Sequence, residues 1–173
     1  MRQTNQMLAL ARTDSAEFEP ERVDVAALAE GVTRQWWAQA RAQGIDLGFE
    51  PAVETLQVMA QPALLKEALV NLLHNAIRYT PRGGQVTVRV GRTGSTAALT
   101  VLDNGPGMPL ADRARAGERF FRGSNVSLPG SGLGLAIVRS IAERHGGQLQ
   151  IGSGPNGCGL SASLVLPLAD TAA

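Results

Sequence analysis

The chain is poor in cysteine, histidine, net charge and long apolar runs, and each shortage removes a class of function. The one cysteine, Cys158, cannot close an internal disulfide. No Cys or His cluster surrounds it in its glycine-rich segment, so neither a zinc site nor a redox pair is indicated, and a buried structural thiol is expected. Sixteen basic residues stand against 15 acidic ones, a net charge of +1. That balance offers no electrostatic footprint for nucleic acid or an anionic membrane. No stretch reaches the roughly 18 apolar residues of a membrane-spanning helix. MRQTNQMLAL does not have the form of a signal peptide, so a soluble, cytosolic chain is expected. There is no internal repeat and no low-complexity tract. What is present is ample core material: 44% of the 173 residues are hydrophobic and 18% charged, which excludes global disorder.

Hydrophobic spacing and breakers predict the order of elements. Met7, Leu8 and Ala11 have helical spacing with no N-cap before them, as if 1–13 were the end of a longer helix. The acidic segment 14–23, with Pro20, reads as a linker. Asp24 caps a helix running to about Gln43, with Val25, Leu28, Val32 and Trp36 on one face and Gly44 at its end. Short strands are expected at 45–50 and 54–60, around Pro51. Pro62 opens a helix to about Tyr79. QVTVRVG and TAALTVLD alternate as a hairpin through the turn RTGS. Residues 108–131 read as a long mobile loop with one short helical piece, a length that points to function. An amphipathic helix follows at 133–145, on Leu135, Val138, Ile141 and Ala142, and two strands close the chain. The pattern predicts an α+β fold: a two-layer α/β sandwich, with one mostly antiparallel sheet covered by helices on one face.

Three motifs carry chemistry. Over 62–79, a rotation of about 100° per residue places Leu65, Ala68, Leu69, Leu72, Leu73, Ala76 and Ile77 on one side of the helix. Glu67, Asn71, His74, Asn75 and Arg78 share the opposite arc. A solvated helix face accounts for such an arc, but asparagine is a poor helix former, and a merely wet face favours Lys, Glu and Gln. Two carboxamides at i and i+4 suit a hard cation such as Mg²⁺ held partly by phosphates and water. DNGPGMP, from Asp103 to Pro109, ends a strand in a carboxylate that wants an N–H donor, and its glycines permit close approach to main chain. By itself it is also compatible with an ordinary Asp-Gly turn. PGSGLGLAIVRS places Gly130, Gly132 and Gly134 before a helix whose N-terminus forms an anion site. It is neither a P-loop nor a dinucleotide-binding fingerprint.

Taken in order, these motifs resemble the ATP-binding catalytic domain of bacterial sensor histidine kinases, a group of Bergerat-fold ATPases that also includes gyrase-type topoisomerases. The resemblance covers about residues 24–168. E-x-x-x-N-L-L-x-N-A-I-R-Y-T-P resembles the N box, D-N-G-P-G-M the first glycine box and G-S-G-L-G-L the second. E-R-F-F-R (118–122) resembles the F box, which marks sensor kinases.

The resemblance implies ATP and Mg²⁺ as ligands, a Bergerat fold and a mobile ATP lid. By match of motif it implies Asn75 and Asn71 at the metal and Glu67 as the acidic residue that orients water or metal. Arg78 would lie near the phosphates and Tyr79 near the adenine. Asp103 would accept from the adenine amino group, with Gly105 and Gly107 letting the base approach and Met108 completing the box. Phe120 and Phe121 would anchor the lid, and Arg122 would contact the γ-phosphate. Gly130, Ser131, Gly132, Leu133, Gly134 and Leu135 would form the phosphate-capping turn. Glu67, Asn71, Asn75 and Arg122 are then the catalytic set. Gly117 stands where the family is usually bulky and apolar, which implies a looser lid, and Gln61 where an acidic cap is frequent.

The family's phosphoacceptor histidine lies on a separate helical hairpin. Neither His74, in Leu-His-Asn, nor His145, in His-Gly-Gly, has its context. Residues 1–16 therefore read as the end of that hairpin with a linker, and 17–170 as the catalytic domain. The implied partners are the parent's dimerisation hairpin and a response regulator, with no nucleic acid. The fragment is expected to be a monomer and the parent a homodimeric, inner-membrane sensor with a cytoplasmic kinase domain. The rival readings are a Bergerat-fold serine kinase of the anti-sigma-factor type and a nucleotide-sensing module without transfer activity.

Overall fold

The computed structural model describes residues 5–8, 11 and 17–169. Its elements are β1 (Glu21–Asp24), α1 (Val25–Ala42), β2 (Asp46–Glu50), β3 (Gln57–Ala60), α2 (Pro62–Tyr79), β4 (Gln85–Thr93), β5 (Thr96–Asp103), α3 (Leu110–Arg113), α4 (Gly134–Arg144), β6 (Gln148–Ser153) and β7 (Leu160–Pro167). The main sheet has strand order β2-β4-β5-β7-β6. The β2–β4 pair is parallel and the others antiparallel. Alternation decides its faces: Val86, Val88 and Val90 of β4 and Ala97, Leu99 and Val101 of β5 are buried. They meet the apolar sides of α1, α2 and α4 in one core, which gives the expected two layers.

Helix α2 follows its period closely. The seven residues assigned to its apolar side are the seven that are buried. Each fully buried leucine contributes about 1.5–3 kcal/mol of transfer free energy. Truncating Leu69, which has 0% exposure, to alanine would cost about 2–5 kcal/mol. Asp24 caps α1 by accepting from Ala27 N at 3.1 Å.

Several expectations need correction. The acidic segment read as a linker contains β1, which pairs antiparallel with β3 in a separate two-stranded sheet. The acidic flanks hid its one inward residue, Val23, which lies opposite Val58. Both short strands expected around Pro51 are present, in different sheets: β2 joins β4 and β3 joins β1. On α1 the buried residues are Val25, Ala29, Val32, Thr33 and Ala40, with Leu28 and Trp36 only half-buried at the margin. Cys158 is exposed: it lies in the turn after Gly154 and not in either flanking strand. Of the helix expected over 1–13, residues 5–8 and Ala11 are helical, and the remaining positions lie outside the described residues. Among the described residues no helix is long and apolar enough to cross a membrane.

Candidate functional site

The polar arc of α2 faces the N-terminus of α4 across a cleft. The Asn71 amide donates to the Glu67 carbonyl oxygen at 2.9 Å, which turns the Asn71 Oδ1 away from its own helix. A Cβ built at Gly134 would stand 3.4 Å from Asn75 Oδ1 and 3.6 Å from Asn71 Oδ1. The Asn71 oxygen and the whole Asn75 carboxamide, whose Nδ2 would be 3.5 Å from the same Cβ, therefore lie against the first turn of α4. His74, on the same arc, lies edge-to-face with Trp36 at 6.4 Å. Among the described residues no group of three or more His, Cys, Asp or Glu is placed to hold a metal. The oxygen donors that converge here are amide carbonyls.

The cleft has two ends. The polar end, about 290 Å³, is lined by Asn75, Arg78, Tyr79, Phe121, Arg122 and the turn through Gly130, Ser131, Gly132 and Gly134. The apolar end, about 70 Å³, is lined by Leu72, Ala76, Val101, Leu160 and Ala162, with Asp103 as its one carboxylate. Asn75, Tyr79, Met108, Val126 and Leu135 border both ends. Leu135, expected on the core face of its helix, is half-buried against the core and also forms part of the cleft wall.

Asp103 is 5% exposed. Its Oδ1 accepts from Gly105 N at 2.9 Å and Leu160 N at 3.2 Å. Burial pushes its carboxyl pKa up, and the two backbone bonds oppose that shift only in part. The register explains the second donor. Leu102 pairs with Ser161, so the start of β7 lies beside the end of β5. The glycines of this motif serve chain packing. A Cβ at Gly105 would fall 2.9 Å from the Tyr79 carbonyl oxygen. Gly107, at φ +71°, leaves only 2.6 Å to the Gly159 carbonyl oxygen. Sequence reasoning missed this partner turn. Gly154 and Gly159 pack on the Asp103 carbonyl, where a Cβ at Gly159 would be 1.8 Å from its oxygen. The only local signal was the glycine cluster in GPNGCG.

The loop between β5 and α4 is tied down by side chains of its own. Asp112 Oδ2 accepts from Ser124 N and Ser124 Oγ, each at 2.7 Å, and these bonds hold its carboxyl below the usual range. Arg113 donates to the Met108 carbonyl oxygen and to Ser153 Oγ, and Asn125 donates to the Gly107 carbonyl oxygen at 3.1 Å. The phenylalanines divide their roles. Phe121 is half-buried, lines the cleft and carries the Arg115 guanidinium 4.5 Å above its ring. The Phe120 side chain is 60% exposed, at φ +63°, so it does not anchor the loop. Its backbone does, through Phe120 N to the Gly132 carbonyl oxygen at 3.0 Å. Gly132, at φ +68°, packs so closely that a Cβ would lie 2.6 Å from the Phe120 carbonyl carbon. Arg122 lines the cleft and donates to the Leu128 carbonyl oxygen. The space beside Gly117, where a bulky residue was expected, is closed by the Arg139 stem, with Cδ 2.6 Å from a built Cβ. Ser131 Oγ donates to Gln6 Oε1 at 2.6 Å and accepts from Leu133 N at 3.3 Å.

Residues 60–170 match the family described as Histidine kinase-, DNA gyrase B-, and HSP90-like ATPase. The chain is 42% identical over 167 residues to the sensor protein kinase PmrB of Pseudomonas aeruginosa, a match that covers 94% of this chain and 34% of that protein. It thus spans about a third of the length of that curated relative. The solved mycobacterial sensor histidine kinase MprB aligns at TM-score 0.77 and 32% identity, over 87% of this chain and all of the other. Full-length ShkA, solved in complex with AMPPNP, aligns at TM-score 0.82 and 30% identity, over 98% of this chain and 36% of that one.

Proposed function

The chain belongs to the histidine kinase-, DNA gyrase B- and HSP90-like ATPases, on their sensor histidine kinase side, and from that premise we propose that it binds Mg-ATP and presents the γ-phosphoryl group to a histidine carried elsewhere on its parent kinase. One observation carries the reading. The Asn75 carboxamide and the N-terminus of α4 face each other at the polar end of a cleft whose apolar end holds one buried carboxylate, with Asn71 packed beside them against Gly134. A triphosphate and a purine are matched to those two ends. The structural neighbour ShkA, solved in complex with AMPPNP, supports a nucleotide as the ligand.

The chain's own groups divide the work. Asp103 accepts from the adenine amino group, and Met108, Leu135 and Leu160 enclose the base. Arg78 and Arg122 neutralise phosphate charge, Tyr79 closes the wall between the two ends, and the α4 N-terminus contributes about 0.3–1 kcal/mol toward an anion. The donor set fits Mg²⁺, because the Asn71 and Asn75 carboxamides, each with a neutral oxygen, lie against the phosphate-facing turn, with Glu67 one turn away on the same arc. When bound, the ion would neutralise the charge that develops as the γ-phosphoryl leaves. The protein's contribution is positioning: it holds the γ-phosphate in line for an incoming nitrogen and keeps water away from it.

The acceptor is neither of the chain's histidines. The His145 ring is buried with both nitrogens engaged, and His74 lies on the helix that floors the cleft. We therefore assign 1–16 to the end of the acceptor hairpin and its linker, and 17–170 to the catalytic domain. The parent, in this reading, is a homodimeric membrane-anchored sensor whose cytoplasmic kinase part includes this chain, and it passes phosphate on to a response regulator. The fragment itself is monomeric.

The test is acid-labile label from γ-labelled ATP. The chain alone should bind Mg-ATP and stay unlabelled, and adding the parent's hairpin should place label on the hairpin's histidine. Label on the isolated chain that disappears in His74→Ala would refute the assignment. Binding of Mg-ATP with no transfer to the added hairpin would favour a nucleotide-sensing module.

A further inference from the structure

Helices α2 and α4 pack together through the shared apolar core, and two further contacts mark its ends. At one, the α4 N-terminus covers Asn71 and Asn75. The other lies at the opposite end of α4, about 16 Å away for 11 residues at 1.5 Å each. There His145, the C-cap of α4, reaches Gln61, the N-cap that precedes α2. Gln61 N donates to His145 Nε2 at 3.1 Å. Because Nε2 accepts a backbone N–H it carries no proton. Nδ1 carries it and donates to the Ile141 carbonyl oxygen at 2.7 Å.

Nothing local does this job for α2. Gln61 makes no side-chain cap, and its Oε1 is buried without a hydrogen-bond partner. The imidazole is 9% exposed. The ring of Phe18, from the segment that enters the domain, packs on it edge-to-face at 4.9 Å. The Arg144 guanidinium lies over Phe18 at 5.3 Å. Phe18 and Arg144 therefore cover one side of the clasp, whose hydrogen bond is partly buried.

We propose that His145 is a positioning residue. By pinning the start of α2 to the end of α4, it sets the spacing between the carboxamides on one helix and the phosphate-facing turn on the other. The inference rests on the nucleotide reading of the cleft. Two packed helices are stiff rods, so a slip at the clasp reappears at the far end, and a misplacement of about 1 Å at a reacting centre can cost about 100-fold in rate. The polar recognition at the adenine end comes from Asp103, held by the Gly105 and Leu160 amides beside the ends of β5 and β7, whereas the helices give that end chiefly apolar wall from Leu72, Ala76 and Leu135. Loss of the clasp should therefore separate the handling of triphosphate from that of the base.

The experiment compares adenosine and Mg-ATP binding by calorimetry in the full chain and its variants. His145→Phe keeps a ring against Phe18 and removes the acceptor. His145→Gln keeps an acceptor within reach of Gln61. The expected result is adenosine affinity within about twofold of the parent chain in both variants, Mg-ATP affinity about tenfold weaker in His145→Phe, and recovery in His145→Gln. His145→Asn, too short to reach Gln61, replaces His145→Phe should that variant not fold. The proposal is overturned if Mg-ATP affinity is unchanged without the acceptor, if both ligands weaken in proportion, or if His145→Gln is as weak as His145→Phe. A parent chain that binds neither ligand would overturn the nucleotide reading, and this inference with it.

Discussion

Replacing Asp103 by asparagine separates what its carboxylate does for the fold from what it does for a ligand. In the folded chain its Oδ1 receives two backbone N–H groups. Asparagine can keep both bonds through its own Oδ1, which turns its amide nitrogen toward the cavity lined by Met108 and Leu160. The effect on stability follows from the raised pKa. A carboxyl whose folded-state pKa lies above its unfolded value favours folding in the protonated form, and that contribution is lost as pH rises through the folded value. At neutral pH the ionised group therefore stands at a net desolvation cost, which Asp103→Asn removes. The thermal midpoint should stay level or rise. The effect on binding has the opposite sign. A hydrogen bond to a charged group contributes about 1.5–3 kcal/mol, so ATP and ADP affinity should fall about tenfold to 150-fold. The new donor would oppose the adenine amino group and suit the guanine carbonyl, so the preference of the parent chain for ATP over GTP, about tenfold or more, should shrink or reverse. Calorimetric titration with both nucleotides and thermal unfolding of both proteins check this. Equal ATP affinity in the two proteins, or a variant that loses ATP binding only because it unfolds, would refute the reasoning.

Three further outcomes are expected. Asn75→Ala lies on the polar arc, so it should leave the unfolding midpoint within a few degrees and adenosine binding nearly unchanged, while abolishing transfer to the added hairpin in the labelling assay. Transfer at the parental rate would remove Asn75 from the catalytic set. Gly132→Ala places a Cβ 2.6 Å from the Phe120 backbone at a positive φ. It should detach the loop, seen as faster proteolysis near Phe120 and weaker ATP binding with the core intact, and an unchanged cleavage pattern would contradict the packing described. Burial lowers the His145 pKa from 6.5, with Arg144 adding repulsion. Glu17 and Glu19 flank Phe18 in the chain, while Phe18 and the Gln61 amide that contact the ring are uncharged. The unfolded chain then takes up the proton first, so stability should hold above about pH 6.5 and fall as pH drops below it. Unfolding midpoints from about pH 8 to about pH 5 should show a slope that is shallower in His145→Gln, and an identical slope in both proteins would exclude His145 as its source.

Much of this molecule is written in its local order. The apolar and polar sides of α2 follow from a period of 3.6, and all seven apolar residues lie where that period puts them. Strand β5 ends at Asp103, as its alternation required, and the order of the motifs along the chain is enough to point to the family. These features depend on residues a few positions apart, whose side chains encode their own period. The closures between distant segments are another matter. Strand β2 joins β4 in parallel, and the acidic stretch before Asp24 supplies a strand to a partner over thirty residues away. Gly159 packs on Asp103, Leu160 completes its carboxylate's bonding at a separation of 57 residues, and Gln61 meets His145 at 84. Phe120 turns outward because its backbone, and not its ring, contacts Gly132. Backbone N–H and C=O groups are alike at every position, so no side-chain pattern names the partner each will find. The packing of the whole core decides it.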